Sequence, residues 1–504
     1  MLGSLHIIKG KIMLPHHING QRVMSQSATH GAVYNPATGE IIHEVPFATS
    51  IEIESAIEAA EKAHREWSIT SLAERARLMF AFKTLLEKNI EALAALVSLE
   101  HGKTHADAKA SVQRGLDVVA FACGAPHLLK SAYSERVGGD VDCYGLRQSL
   151  GICVGITPFN FPAMIPLWMY PLALICGNAF IHKPSEKDPS TALLLADLLY
   201  EAGAPKGLLN VIHGDKTVVD ALISHPKVKA VSFVGSTAVA EHIYQTATRH
   251  DKRVQAFGGA KNHCLVMNDA DLDDAANAIL GAAYGSCGQR CMAIPVVVTV
   301  SDKTADALIQ RLAPAVQSLI IGPGNDDKTV LSPLNTAEAL TRVQKYLEIG
   351  VEEGAKLIVD GRKATYPKQG YFIGASLFDA VTPDMKIYQD EIFGPVLCIL
   401  RAPDYETALS WINNHPYGNG TAIFTQNGEI AHDFAARVQI GMVGINVPIP
   451  VPVGYHTFGG WKRSAFGDLG LHGPDGIQFY SRLKTITSRW PKGRNTTSFS
   501  LPTH

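Results

Sequence analysis

The chain contains no CxxC pair. Its eight cysteines, Cys123, Cys143, Cys153, Cys176, Cys264, Cys287, Cys291 and Cys398, are scattered along the sequence. That spacing excludes a zinc ribbon and, at this length, a disulfide framework; reduced thiols in a cytoplasm are expected, with no metal. Charge of one sign is also missing. Lys and Arg number 45 against 47 Asp and Glu, without long like-charged blocks, so there is no electrostatic footprint for nucleic acid or an anionic membrane. Long apolar runs are absent too: residues 161–180 come nearest, but Pro162, Pro166, Pro171 and the pair Gly177-Asn178 interrupt them. The first 13 residues are broken by Lys9 and Lys11, lack the order of a signal peptide, and hold no arginine of the kind that marks a mitochondrial presequence. Asn495-Thr496-Thr497 forms a glycosylation sequon, which a cytoplasmic chain leaves unused.

What is present is apolar substance in quantity. With 504 residues, 46% hydrophobic and 18% charged, the chain exceeds one core and predicts two to four domains. Residues 14–50 read as short strands and turns, with Asn19-Gly20 and Asn35-Pro36 as turn signals. Helical spacing follows through 50–101, carried first by Ile53, Ala56, Ile57, Ala60 and Ala63, and a third helix is expected over 104–129. From 151 the rhythm changes. Apolar strands at 151–156, 179–182, 208–212, 228–234 and 253–257 alternate with helices at 162–175, 191–203, 217–223 and 236–248. Such alternation predicts a parallel sheet covered on both faces, of the dinucleotide-binding type. A second alternating set begins with a helix at 272–284 and continues through strands at 296–300, 356–359, 396–400 and 422–424. It predicts a second α/β domain, divided from the first near Gly258-Gly259, and residues 477–490 read as a lone final strand.

Four stretches carry chemistry. Val234-Gly235-Ser236 ends a strand and opens a helix, a junction whose free amides attract anions, although the full GxGxxG fingerprint is missing and a plain turn fits equally. Lys183 and Glu186 stand at the carboxyl end of a strand, where open α/β sheets bind ligands; they suit ribose hydroxyls, or are two solvated charges. Asn160, set between Pro158 and Pro162, offers a rigid amide donor for an oxyanion, or is a turn-forming residue. Finally, Gly285–Pro295 holds the thiol of Cys291 beside Arg290; alone it would read as a tight loop with two small buried cysteines, Cys287 and Cys291.

Taken together, Thr157–Pro162, Lys183–Glu186, Phe233–Thr237, Gly258-Gly259, Cys291 and Glu391–Pro395 resemble the aldehyde dehydrogenase superfamily, across roughly residues 18–490. Residues 165–169, 258–263, 288–293 and 476–480 look like its methylmalonate-semialdehyde dehydrogenase branch. The resemblance implies an aldehyde dehydrogenase-like α/β fold. It has a Rossmann-type NAD domain (14–133 and 151–257), an α/β catalytic domain (258–455) and a small β extension for oligomerisation (134–150 and 475–490). It implies a homotetramer, with a dimer as the fallback. It further implies NAD-dependent oxidation of malonate or methylmalonate semialdehyde, with coenzyme A as co-substrate, to acetyl-CoA or propionyl-CoA and carbon dioxide.

The residue roles follow from the same resemblance. Cys291 is the expected nucleophile, its thiol acidified by Arg290 and local amides. Asn160 and the Cys291 backbone N–H hold the oxyanion, Arg114 and Arg290 clamp the substrate carboxylate, and Thr157, Phe159, Lys183, Glu186, Lys187, Ser236, Gly258, Glu391 and Phe393 contact NAD. Hydrolytic members carry a glutamate two residues before the Gly-Gly pair, where this chain has Ala256; alanine cannot act as a base, which favours a thiol acceptor over water. A hydrolytic acid-semialdehyde dehydrogenase with another base is the alternative, and a binding protein on a retired enzyme fold a more distant one. Two departures stand out: Ala240 replaces a glycine usual in the family and is expected to crowd the cofactor or the helix packing slightly, without loss of NAD binding, and Cys287 is extra, filler in a reducing cell or, by spacing alone, the partner of Cys291 in a reversible disulfide.

Overall fold

The computed structural model describes residues 12–138 and 140–490. The lysine-interrupted stretch up to Lys11 and the Asn495 sequon lie outside the described residues.

An eight-stranded sheet runs in the order Ala465–Phe466, Arg253–Phe257, Val228–Val234, Ile152–Ile156, Ala179–Lys183, Leu209–Val211, His16–Ile18, Gln21–Val23. Its five central strands are parallel; three are buried along their whole length and the other two at all but one residue, which is why they read as continuous apolar runs. Helices Met164–Ile175 and Ser190–Glu201 cover one face, together with Leu72–Lys88 and His105–Gly124. Ser50–Trp67, Lys216–Ser224 and Thr237–Arg249 contribute apolar residues to the cluster on the other face. From Ile152–Ile156 the chain moves outward to Ala179–Lys183 and Leu209–Val211, then returns to the opposite side as Val228–Val234. The order of the sheet therefore reverses between Ile152–Ile156 and Val228–Val234, and a crevice opens at the carboxyl ends of those two strands.

A second sheet of seven strands runs Lys356–Val359, Ser376–Asp379, Val396–Ala402, Val296–Val300, His263–Val266, Gly420–Phe424, Met442–Ile445. All its pairings are parallel except that of the first strand. Arg253–Phe257 and His263–Val266 are consecutive in the chain but belong to different sheets, so residues 258–262 are the crossover between them. A third sheet pairs Ser481–Arg489 with Val141–Ser149 and Tyr133–Gly138.

Most helix and strand bounds agree with the periodicity to within a few residues. In the two large sheets, His263–Val266, Ser376–Asp379 and Met442–Ile445 escape it, as does the two-residue Ala465–Phe466; such short strands carry little periodicity of their own. The final segment is not a lone strand. Gly473 (φ 72°) and Pro474 start a short helix, Pro474–Phe479, whose Ile477 and Phe479 are buried, and the strand begins only at Ser481. Nor is that strand unpaired in a single chain, because it lies against Val141–Ser149 in one continuous register. The third helix stops at Gly124, followed by a 3-10 turn at Ala125–His127 that contains Pro126. No described helix is long and apolar enough to cross a membrane.

One buried side chain ties these parts together. Asn178 accepts from the backbone N–H groups of Leu150 (2.7 Å) and Gly151 (3.0 Å), and donates to the carbonyls of Ala173 (3.0 Å) and Tyr480 (2.8 Å). It thus joins the start of the first Rossmann strand to the chain entering the third sheet. The Ala173 carbonyl also accepts the backbone N–H of residue 178 at 3.1 Å, so Asn178→Ala leaves the other three backbone groups without their partner, at about 1–3 kcal/mol for each that water cannot reach. A loss of at least about 3 kcal/mol in urea unfolding is expected; a loss below about 1 kcal/mol would contradict this account.

Candidate active site

The site is assembled around the loop carrying Cys291. Helix Leu272–Tyr284 ends in a turn, Gly285–Gly288, where Ser286 (φ 54°), Cys287 (φ 53°) and Gly288 (φ 71°) are all left-handed. That conformation costs a residue with a Cβ roughly 1–2 kcal/mol, so the turn must be held from outside. Asp107 accepts the Ser286 N–H at 3.1 Å, and Gly288 packs so closely that a Cβ there would lie 2.2 Å from the Gly394 carbonyl oxygen. Beyond the turn, Asn262 donates to the carbonyls of Cys291 (2.9 Å) and Ala293 (2.8 Å) while accepting from the Gly420 N–H. Asn419 adds a second donor to the Cys291 carbonyl at 3.2 Å. Neither asparagine had a role in the sequence reading, although Asn262 sits within a recognised motif. Cys287 is fully buried in the apolar core beneath the second sheet, and burial pushes its thiol far up; both it and Cys291 are free. The four-residue spacing falls across a left-handed turn rather than a helical one.

The electrostatics of Cys291 differ from the sequence expectation. Burial, followed by the carboxylate of Glu391, pushes its thiol up to about 12; the amides of Cys291 and Met292 and the ammonium of Lys103 oppose this. Arg290 is not the acidifying group. Its guanidinium pairs with Asp107 (Nη2–Oδ1 2.7 Å) and lies across Gly285, where a Cβ would come within 2.4 Å of Nη1. The nearby cation is Lys103, which the sequence reading missed. It is fully buried, donates to the Asn160 carbonyl oxygen at 2.6 Å, sits 4.2 Å from the centre of the Phe161 ring, and is pushed down to about 7 by burial.

Asn160 is buried, and its side-chain amide donates to the Gln289 carbonyl at 3.2 Å. An amide has two N–H donors, so a second remains for an oxyanion. Phe159 stacks on His101 (5.9 Å), meets Phe393 edge-on (6.0 Å) and carries Lys187 over its face (4.8 Å). Phe393 itself is left-handed at φ 55°. Glu391 accepts the Ala260 N–H at 3.1 Å, and its carboxylate occupies the space where a Cβ on Gly259 would be, 2.3 Å away. Burial pushes Glu391 up to about 7. Cys291, Glu391, Phe393, Ala260 and Arg290 line a cavity of ≈ 20 Å³, the size of about one water. On its other side Arg290, with Asp107, lines an open cavity of ≈ 660 Å³. Arg114 is exposed, on the same helix as Asp107 and about two turns further along, with its carbonyl accepting from Trp168 at 3.2 Å.

The crevice between the two central strands fits a dinucleotide. Thr157, bonded to His182 at 2.8 Å, opens the loop after one strand, and Gly235-Ser236 opens the helix after the other. Ser236 is the N-cap of Thr237–Arg249 but makes no side-chain cap bond, leaving its hydroxyl and the first amides for an anion. At Gly235 a Cβ would meet the ring of Phe233 at 2.4 Å, so a larger residue there requires that ring to move. Lys183 lies buried at the end of its strand, 3.4 Å from Glu186, whose carboxylate reaches solvent. Gly258 packs on Thr237, where a Cβ would lie 3.1 Å from its Cα. Ala240 is fully buried in the apolar cluster that includes Phe233 and Ile243, so its methyl belongs to the helix–sheet core. Ala256 belongs to that same cluster, whereas Cys291 packs against the one on the opposite face. The carboxylate beside the thiol is therefore Glu391, not a group at position 256.

The sequence profile of the aldehyde dehydrogenase family matches residues 23–486. The chain belongs to the aldehyde dehydrogenase family. It is 53% identical over 505 residues to a malonate-semialdehyde dehydrogenase of Pseudomonas aeruginosa, covering 99% of this chain and 100% of that one. A malonate-semialdehyde dehydrogenase of Halalkalibacterium halodurans is 46% identical, over 95% of this chain and 98% of its own. Among solved structures, a Sinorhizobium meliloti protein described as a methylmalonate-semialdehyde dehydrogenase and complexed with NAD superposes with a TM-score of 0.95 at 53% identity, covering 96% of this chain and 99% of that one. The methylmalonate-semialdehyde dehydrogenase of Oceanimonas doudoroffii superposes at 0.94 with 50% identity, over 96% and 99%. The expected α/β aldehyde dehydrogenase fold is thus the observed one.

The thiol environment yields a pH prediction. With Cys291 at about 12, its thiolate fraction grows ~10-fold per pH unit across neutral pH, and alkylation follows the thiolate. Inactivation of the cofactor-free enzyme by iodoacetamide should accelerate accordingly between about pH 7 and pH 9. Lys103→Met should slow it near pH 7 and below, where the ammonium is charged, with the effect fading toward pH 9, and Glu391→Gln should speed it most above about pH 7, where the carboxylate is ionised. A rate that levels off below pH 8 would contradict the assignment of these charges.

Proposed function

We propose that this chain oxidises malonate semialdehyde and methylmalonate semialdehyde with NAD and transfers the acyl group to coenzyme A, releasing carbon dioxide and acetyl-CoA or propionyl-CoA. The observation that carries this reading is Arg290, next to Cys291 in the chain, lining both the small cavity at the thiol and the large open one, and already paired with a carboxylate. A guanidinium so placed suits a substrate with an aldehyde at one end and an acid at the other. The named relatives and the NAD-bound neighbour support it.

In this mechanism the Cys291 thiolate adds to the aldehyde carbon, and the free N–H of the Asn160 amide, with the Cys291 backbone N–H, receives the charge on oxygen. Bound NAD supplies a hydride acceptor. Ser236 and the helix behind it would hold its pyrophosphate, Lys183 and Glu186 its adenosine ribose, and Thr157, Phe159, Lys187, Gly258, Glu391 and Phe393 the remainder. Lys103 keeps the Asn160 backbone fixed throughout. The acyl group then rests on Cys291 as a thioester, and the substrate carboxylate, β to that carbonyl, leaves as carbon dioxide into an electron sink already present. Arg114 joins Arg290 as the second carboxylate contact.

A hydrolytic reading has one observation in its favour: Glu391, at about 7, borders a cavity of one-water size beside the thiol. Against it, Ala256 supplies no base. We further propose the division into a cofactor unit (14–133 and 151–257), a catalytic unit (258–455) and an assembly extension (134–150 and 475–490), and a cytoplasmic homotetramer. The third sheet exposes Tyr133, Val137, Leu146 and Leu483, apolar surface that a neighbouring subunit would cover.

With malonate semialdehyde and NAD, NADH formation should depend on coenzyme A and yield acetyl-CoA. Full turnover without coenzyme A would favour the hydrolytic reading. Cys291→Ala should reduce turnover by at least about 10³-fold, and retained activity would remove Cys291 from the mechanism.

A further inference from the structure

We infer that Asp107 is the built-in occupant of the substrate-carboxylate position: it holds Arg290 in the substrate-free enzyme, and the acid end of the substrate replaces it on the guanidinium. The inference rests on the acid-semialdehyde reading above.

Asp107 lies in the first turn of helix His105–Gly124 and uses its two oxygens differently. Oδ1 meets Arg290 Nη2 at 2.7 Å, while Oδ2 accepts the Ser286 N–H at 3.1 Å. Tied to the left-handed turn in this way, Asp107 offers the guanidinium a single contact. The other guanidinium contact, from Nη1 to the Gly281 carbonyl, is long at 3.5 Å. A guanidinium has five N–H donors, and a free carboxylate can take two of them side by side. An incoming acid therefore makes a better partner than the resident one.

The exchange also has room and a place for the displaced charge. Asp107 and Arg290 are 27% and 20% exposed, and both face the ≈ 660 Å³ cavity, which Thr104, Asn277, Thr329 and Val447 help to line. When Arg290 leaves it, Asp107 keeps the Ser286 N–H and the field of Lys103, whose ammonium already responds to it. Gly285 lets the guanidinium lie flat across the backbone between the two cavities. Asp107 would thus act as a competitor that sets how strongly an acid must bind, while a neutral aldehyde never has to displace it.

The test is Asp107→Asn, which keeps an oxygen for the Ser286 N–H but removes the charge. KM is measured for malonate semialdehyde and for propionaldehyde with saturating NAD and coenzyme A. The ratio of the propionaldehyde KM to the malonate semialdehyde KM should rise at least threefold over wild type. An unchanged or lower ratio would overturn the exchange, the lower one by making Asp107 a support for Arg290 instead. If wild type shows no preference for malonate semialdehyde over propionaldehyde in kcat/KM, the acid-semialdehyde reading itself fails, a result distinct from an unchanged ratio. Should the variant not fold, a crystal structure of the wild-type enzyme soaked with malonate decides: malonate on Arg290 with Asp107 released supports the exchange, and an intact Asp107–Arg290 pair overturns it.

Discussion

Five residues, 258–262, carry the chain from the eight-stranded sheet to the seven-stranded one, and the site depends on how tightly that crossover is drawn. Its glycine Gly259 leaves space that the Glu391 carboxylate fills, its Ala260 amide bonds that carboxylate, and its Asn262 side chain holds the Cys291 loop by two carbonyls. Lys261 adds bonds to the carbonyls of Ile387 and Asp390, fixing the segment just before Glu391. A short linker between two sheets thus becomes the common support for the Cys291 thiol and the Glu391 carboxylate. Rigid elements on either side are what allow a loop to hold catalytic groups within the tolerance that chemistry requires.

Low dielectric is the second consequence of this packing. Glu100 and Glu391 are each raised to about 7, Lys103 is lowered to about 7, and Asp188, buried with no hydrogen-bond partner among the described residues, is pushed well above the usual carboxylate range. Burial is the first cause in every case. Groups that would be fixed charges in water are therefore poised near neutrality or held neutral here, and small changes in occupancy can move protons among them. The high position of Cys291 belongs to the same pattern. A thiol kept protonated by its surroundings is protected from oxidation until a positive or hydrogen-bonding partner shifts the balance.

Much of this was legible in the sequence because it is periodic. Buried parallel strands are continuous apolar runs, and their alternation with helices reveals two α/β layers without any motif. The strands His263–Val266, Ser376–Asp379 and Met442–Ile445 were not legible, nor was the helix at Pro474–Phe479, because a short element takes its conformation from what it packs against. The candidate site was readable as a set of residue types and only partly as contacts. Asn160 does lie in the loop at the carboxyl end of Ile152–Ile156, with an amide N–H to spare, and Ser236 does stand where a strand gives way to a helix at the switch point, its hydroxyl uncommitted to the helix amides. Lys103 gave no signal, since a lysine after a glycine reads as a surface charge until the fold encloses it.

Arg290 shows where reading by adjacency fails. Sequence neighbours share a peptide bond, but a left-handed turn followed by an irregular loop sends their side chains to different places, so Arg290 reaches toward Asp107 while Cys291 lies with Glu391. The partner that decides the direction is 183 residues away in the chain. Such a pairing leaves no local trace, because aspartate in a helix's first turn is already explained by the helix dipole and by capping preference. One carboxylate can therefore satisfy a local rule and a distant one together. The separation of arginine from cysteine is also what a substrate with two unlike ends requires: were the guanidinium directed at the sulfur, it would stabilise the thiolate and leave the acid end without a partner.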